Sequence, residues 1–291
     1  MTRDESIVEL AAWLATAPGR YLLAWEQERL DDALADAFGF HAVQLGLSEL
    51  DGLRANRMPH RWVASDSLHP PAAPACVLPA ANASVTAPSG AQSVDLHCEF
   101  DALPFANASI DLVVLPHALE LARDPHLTLR EVERVLVPDG RVVIVGFNPA
   151  SLWGLRQRAG RLRRALGFAR GSSLFLPRAG ELIGYWRLRD WLRLLGFEVE
   201  IGRFGCWRPP ISSEVWLDRW RWLDRVGEHW WPVLGAVYFV VAVKRVRGMR
   251  LVGMVKSDRR KTATAPAAVA RRDAPLVHAV PAEPGREREP A

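Results

Sequence analysis

Two continuous apolar runs, Ile110 to Leu115 and Val142 to Val145, flank a stretch of helical spacing and form the clearest pattern in the chain. Both are rich in β-branched residues, which is how strands covered on both faces of a parallel sheet look in sequence. Between them Leu119, Leu127, Val132 and Val135 to Val137 recur at helical spacing, and Asp124-Pro125 can close one turn and cap the next helix. Asp139-Gly140 then turns the chain into the second run. Strand, crossover helix and parallel strand predict a right-handed unit whose active face lies beyond the strands' C-terminal ends.

The flanking sequence extends this unit in both directions. Residues 5–37 predict a pair of helices, with Ile7, Leu10 and Leu14 and then Leu22, Trp25, Leu30 and Leu34 at apolar positions and a break at Pro18-Gly19. His41 to Leu47, His60 to Ser65 and Ser93 to Cys98 predict three strands, the last alternating Val94, Leu96 and Cys98 against Asp95 and His97. After the central unit come two amphipathic helices, Gly154 to Arg170 and Gly180 to Phe197, and a strand from Phe197 to Ile201. Trp216, Trp220, Leu223, Gly227 and Trp230 share one helical stripe starting after Ser212-Ser213-Glu214, and Val237 to Val243 predicts the closing strand. Leu68 to Gln92 is rich in Ala, Pro and Ser without periodicity and reads as an insertion loop; residues 248–291 read as a disordered basic tail.

From Glu99 the chain runs acid, short loop, Leu103-Pro104-Phe105, Asp111, strand, helix and a Pro138-Asp139-Gly140 turn. With Gly146-Phe147-Asn148-Pro149 after the second strand, it resembles the class I S-adenosylmethionine-dependent methyltransferases, methyltransferase type 11-like. Within them it looks most like a bacterial subgroup with a degenerate glycine-rich loop. The resemblance covers residues 38–247 and implies a Rossmann-like class I methyltransferase fold of the α/β class. That fold has a seven-stranded, mostly parallel sheet, helices on both faces, and a last strand antiparallel between the fifth and sixth. The chain then divides into N-terminal helices at 1–37, a methyltransferase-like domain at 38–247 with a Trp-rich segment at 207–232, and the tail at 248–291.

The resemblance also implies S-adenosyl-L-methionine as cofactor and carries its contacts onto particular positions. Gly46 and Ser48 would lie against the methionine moiety, Asp66 against the ribose, and Glu99 with Phe100 against the adenine. Leu115 and Pro116 would line the methionine pocket through their backbone. The family's acid and alternating glycines are reduced here to Gln44 and Gly46, followed by Leu47, Ser48, Glu49, Leu50, Asp51 and Gly52. His117, next along, is a candidate catalytic base because an imidazole titrates near neutrality, and Asn148 is a candidate to orient the acceptor. Each has a plainer reading: a strand-end glycine at 46, a turn residue at 66, a helix cap or core partner at 117, and an Asn-Pro turn at 148.

Composition narrows the alternatives. The tail from Gly248 carries nine Lys or Arg against five Asp or Glu, which equals the whole net charge of +4, so the rest is close to neutral. The longest apolar run, Trp230 to Val243, is too short to span a bilayer, and the N-terminus lacks a signal peptide's order, which points to the cytoplasm. Three widely spaced cysteines indicate neither a disulfide framework nor a zinc site, and methyl transfer requires no metal. Arg156 to Arg170 and the basic run at 244–261 read either as solvated faces or as weak contacts to RNA, DNA or an anionic surface. The function expected is methyl transfer to an unidentified small-molecule or macromolecular acceptor. The alternative is a catalytically degenerate relative that binds a partner or nucleic acid, and a dinucleotide oxidoreductase is disfavoured by the missing alternating glycines.

Overall fold

A computed structural model describes residues 3–66, 94–166, 175–177 and 182–245. The insertion loop expected at 68–92 and the tail expected at 248–291 lie outside the described residues. The first helices are α1 (Arg3–Leu14) and α2 (Ala17–Leu34), so Pro18-Gly19 does not separate them as expected. Pro18 instead lies in the first turn of α2, where its missing N–H costs nothing because that position has no intrahelical acceptor.

Strands β1 (His41–Leu45), β2 (His60–Ser65) and β3 (Leu96–His97) lead to the central unit: β4 (Ile110–Pro116), α3 (Ala118–Leu121), α4 (Pro125–Val135) and β5 (Leu136–Phe147). Asp124 caps α4, accepting from the His126 and Leu127 N–H groups at 2.9 and 3.2 Å. The Leu103-Pro104-Phe105 segment is held by α4: the Leu103 N–H donates to Glu131, and the Arg134 guanidinium donates to the Leu103 and Phe105 carbonyls, both at 2.9 Å. Then follow α5 (Leu152–Ala165), α6 (Tyr185–Leu194), β6 (Phe197–Gly205), α7 (Glu214–Arg219), α8 (Trp222–Trp230) and β7 (Val237–Lys244). The stripe expected as one helix from 216 to 230 is thus broken at Trp220-Arg221, and Ser213 makes no side-chain cap. β6 runs four residues past Ile201 after a register shift between Val199 and Ile201.

The sheet order is β3-β2-β1-β4-β5-β7-β6. All neighbours up to β5 are parallel, and β7 is antiparallel to both β5 and β6. This is the seven-stranded, mostly parallel sheet that the resemblance implied. Alternation along the strands feeds two apolar layers. Leu112 and Val114, Val143 and Val145, and Phe239 and Val241 face the layer that holds Leu10 and Leu14 of α1 and Leu22, Leu30 and Leu34 of α2. Val113 and Leu115, Val142 and Ile144, and Val240 and Ala242 face the layer that holds Leu129 and Val132 of α4 and Leu188 and Leu192 of α6. A strand buried on both faces gains from each side chain, about 1.5–3 kcal/mol for a Val or Leu, which is why these runs lack polar positions.

Gly205 ends β6 where the Trp25 ring of α2 lies directly on its backbone, and a Cβ there would sit 2.1 Å from the ring. Gly205→Ala is therefore expected to cost about 1–3 kcal/mol by forcing α2 outward. Denaturant unfolding reads this loss, and unchanged stability would mean that α2 is not seated on β6.

Candidate functional site

Because β1 to β5 are parallel and in register, their C-terminal ends form one edge. Leu45 lies beside Ala64, Ser65 beside His97, and Pro116 beside Val145. The chain leaves β1 at Gly46, β2 at Asp66, β3 just before Glu99 and Phe100, and β4 at Leu115 and Pro116. Topology alone thus brings the seven residues with expected cofactor roles to one edge. Asp66, Phe100, Leu115 and Pro116 are buried there, Gly46 and Ser48 are half-buried, and Glu99 is exposed. Burial and then the Asp66 carboxylate push the neighbouring Cys98 thiol up to about 11. By contrast Asp111 starts β4 at the opposite edge, where its carboxylate accepts from the Phe40 and His41 N–H groups, both at 2.9 Å.

The turn after β1 has a specific build. Gly46 has a φ of +107°, and a Cβ there would lie 3.2 Å from the Ala118 Cβ and 3.3 Å from the Pro116 carbonyl oxygen. The backbone angle calls for glycine, and the approach is tight enough that a Cβ would make its neighbours give way. Gln44, which stands where the family has an acid, is fully buried. Its amide N–H groups donate to the Leu47 and Leu50 carbonyls, both at 2.7 Å, and its oxygen accepts from the Gly52 N–H at 2.9 Å. One side chain therefore ties down the loop that alternating glycines would otherwise shape.

His117 follows Pro116 in the left-handed conformation, with a φ of 53°, and is fully buried. Its Nδ1 lies 3.0 Å from Glu120 Oε2 and its Nε2 2.8 Å from Glu26 Oε1. Burial opposes charging the ring, but the Glu26 and Glu120 carboxylates outweigh it and raise its pKa to about 10. An imidazolium with both nitrogens engaged has no lone pair to accept a proton, so the role of base does not fit this geometry. Asn148 is also committed. Its amide donates to the Val233 and Gly235 carbonyls at 2.7 and 2.9 Å, and its oxygen accepts from the Ala150 N–H at 3.0 Å. Those bonds pin the chain before β7 to the end of β5, which leaves the acceptor-orienting role without a free donor.

The sequence reading missed Glu26 and Glu120. Glu120 carried a signal, an acid three residues after a histidine between the apolar Leu119 and Leu121. Glu26 carried none, since it meets His117 across 91 residues of chain.

Further along the same edge, α2, the end of β6 and α8 enclose a cleft of about 560 Å³ lined by Tyr21, Trp25, Cys206, Trp207, Arg208 and Asp224 among others. Arg208 Nε donates to Asp224 at 2.9 Å, and its guanidinium stacks 4.2 Å over the Tyr21 ring. Burial, with Cys206 and Asp224 nearby, holds the Tyr21 phenol far above its ordinary range, so it stays a donor. None of the residues with expected cofactor roles lines this cleft. β6 stands four strand positions from β1, roughly 19 Å at about 4.8 Å per strand, so a small molecule in the cleft does not reach the β1 turn.

The strand order, with β7 antiparallel between β5 and β6, defines a class I methyltransferase fold. Residues 77–144 match the family described as a methyltransferase domain. The chain is 43% identical over 97 residues to the uncharacterized protein YafS of Escherichia coli (strain K12), covering 33% of this chain and 36% of that protein. It is 42% identical over 62 residues to the malonyl-[acyl-carrier protein] O-methyltransferase of Halorhodospira halophila (strain DSM 244 / SL1), covering 21% of this chain and 20% of that enzyme. The matches thus span little more than a third, at most, of these curated relatives' own length. Among solved structures, a chain from the complex between the Haloferax volcanii Trm112 methyltransferase activator and a methyltransferase superposes with a TM-score of 0.50 at 18% identity. That likeness covers 85% of this chain and 99% of the other and shows the fold. The resemblance to class I S-adenosylmethionine-dependent methyltransferases is borne out.

Two predictions test the site's construction. Gln44→Glu restores the family's acid but removes both donors to Leu47 and Leu50, so it is expected to destabilise by about 2–3 kcal/mol in chemical denaturation. Equal stability would mean that Gln44 does not hold the loop. His117→Ala leaves two buried carboxylates uncompensated and is expected to cost about 3–5 kcal/mol at neutral pH. Because the folded pKa of His117 is raised from 6.5 to about 10, its contribution is full below pH 6.5 and lost as pH rises towards 10. The gap between wild type and variant should therefore close over that window, and a gap that widens with pH would contradict the ion cluster.

Proposed function

We propose that this protein is an S-adenosyl-L-methionine-dependent methyltransferase with an acceptor still to be identified, acting in the bacterial cytoplasm. The observation that carries the reading is the Gly46 turn, where a positive φ and a close approach to Pro116 and Ala118 bring the backbone after β1 against the end of β4 on a class I methyltransferase fold. The residues at this edge fit the cofactor's parts. Gly46, Ser48 and the Leu115-Pro116 backbone would hold the methionine moiety, Asp66 the ribose, and Glu99 with Phe100 the adenine. A carboxylate such as Asp66 can accept from vicinal hydroxyls, and Glu99 from an exocyclic amine.

When bound, this cofactor supplies a methyl group on a sulfonium sulfur, so the protein's main task is alignment rather than activation. The chain's own contribution is to hold that alignment rigid. Gln44 locks the loop, and His117 keeps its proton between Glu26 and Glu120, fixing α2 over the end of β4. Asn148 fixes the chain that enters β7. We assign His117 and Asn148 to positioning. Among the described residues Cys98 and Cys206 are free thiols, which agrees with a reducing compartment, and no helix there is long and apolar enough to cross a membrane.

Calorimetric titration with S-adenosyl-L-methionine is expected to give saturable binding, weakened about tenfold or more by Glu99→Ala without loss of fold, since Glu99 is exposed. Methyl-label transfer to cell extract, fractionated into RNA, protein and lipid, then identifies the acceptor class. Absence of binding at saturating cofactor, with Glu99→Ala behaving as wild type, would favour a degenerate binding module instead.

A further inference from the structure

Most amphipathic helices turn their leucines into the core; α5 does the opposite. Its buried residues are Trp153, Gly154 and Gln157, all near its start. Leu152, Leu155, Leu162 and Leu166 form a second stripe on the opposite side, and the last three are 61%, 61% and 60% exposed. At 100° per residue these leucines fall within one quadrant of the helix. Arg156 and Arg163 flank that quadrant on one side and Arg158 on the other, with Arg161 beyond it; all four are exposed, and α5 contains no acidic residue.

A second exposed apolar group comes off the same edge. Phe147, Val237 and Gly205 stand side by side in the sheet, so α5, which follows β5, and the segment from Cys206 to Ala236, which joins β6 to β7, emerge together. Their first turns are tied directly, Trp153 Nε1 donating to the Arg208 carbonyl at 2.7 Å and the Arg156 guanidinium donating to the Pro210 carbonyl. Within that segment Trp216, Trp222, Trp230 and Trp231 are exposed, Trp230 by 72%, as are Val233 and Leu234.

We propose that α5, together with the Trp-bearing segment, docks the protein on an anionic lipid bilayer, with α5 lying in the interface. A leucine stripe bordered by arginines suits a helix whose apolar side enters the acyl boundary while its cations meet phosphate headgroups. Indole rings favour the same depth, where their apolar body is buried and their N–H stays wet. A nucleic acid would answer the arginines but leave the leucines in water. A second copy would set an all-cationic helix against another. The bilayer alone satisfies both halves of the pattern, and docking stands independently of methyl transfer.

The test is co-sedimentation of the full-length protein with vesicles of phosphatidylcholine containing about a third phosphatidylglycerol, against phosphatidylcholine alone. Binding is expected only to the anionic vesicles and should weaken with added salt. Leu155→Ser/Leu162→Ser, which touches no core residue, and Arg158→Gln/Arg161→Gln/Arg163→Gln should each lower the partition about tenfold or more, with far-ultraviolet circular dichroism unchanged. Because these variants keep the basic tail, a leucine pair that binds as wild type would overturn the proposal. So would failure to bind anionic vesicles, or retention of an RNA homopolymer in place of vesicles.

Discussion

His117 sits where the chain leaves β4, and its buried imidazolium is the joint between the N-terminal helices and the sheet. Glu26 reaches it from α2 and Glu120 from α3. Glu120 also accepts the Phe147 N–H at the end of β5, which extends the joint to the next strand. Three ionisable groups taken out of water are costly unless each is matched, and removal of any one leaves the others exposed to the low dielectric. The arrangement is therefore all or none. It sets the height of α2 over the strand ends, and with it the position of Trp25 on Gly205 and of Tyr21 against Asp224.

That joint also explains the division of labour along the edge. At the β1 to β4 end the backbone is shaped by Gly46 and Gln44, and the side chains that converge there are those with expected roles toward a nucleoside. At the β6 end the surface is aromatic and charged, and it faces outward through α5 and α8. The two ends are too far apart for one small ligand to touch both.

The central strands were legible because burial on both faces leaves an unmistakable signature: Ile110 to Leu115, Val142 to Val145 and Val237 to Val243 have almost no polar position to confuse the period. Asp124-Pro125 was legible because local hydrogen bonds dictate it, whereas the Leu103-Pro104-Phe105 segment was legible only through the family resemblance, since Glu131 and Arg134 hold it from far along the chain. What failed was non-local or negative. Nothing in the sequence pairs Glu26 with His117, and Gln44 looked like a missing acid rather than a donor to Leu47 and Leu50. The stripe through Trp216 and Trp230 has helical spacing but not helical continuity, since two short helices present the same period as one long one. The stretch from Gly154 to Arg170 read as an amphipathic helix, yet spacing cannot say whether an apolar face meets a core or solvent.

The placement of β7 has a consequence for how the molecule is made. From Arg141 onward β5 pairs with the last strand of the described residues, Arg141 with Val243 through Phe147 with Val237. A polypeptide emerges N-terminus first, so the β3 to β5 side of the sheet can assemble early while the outer edge of β5 stays unpaired until residue 244 has cleared the ribosome. An apolar strand with an open row of N–H and C=O groups is a template for pairing with other chains. The time taken to make the stretch between β5 and β7 therefore sets how long that edge stays open in a nascent chain.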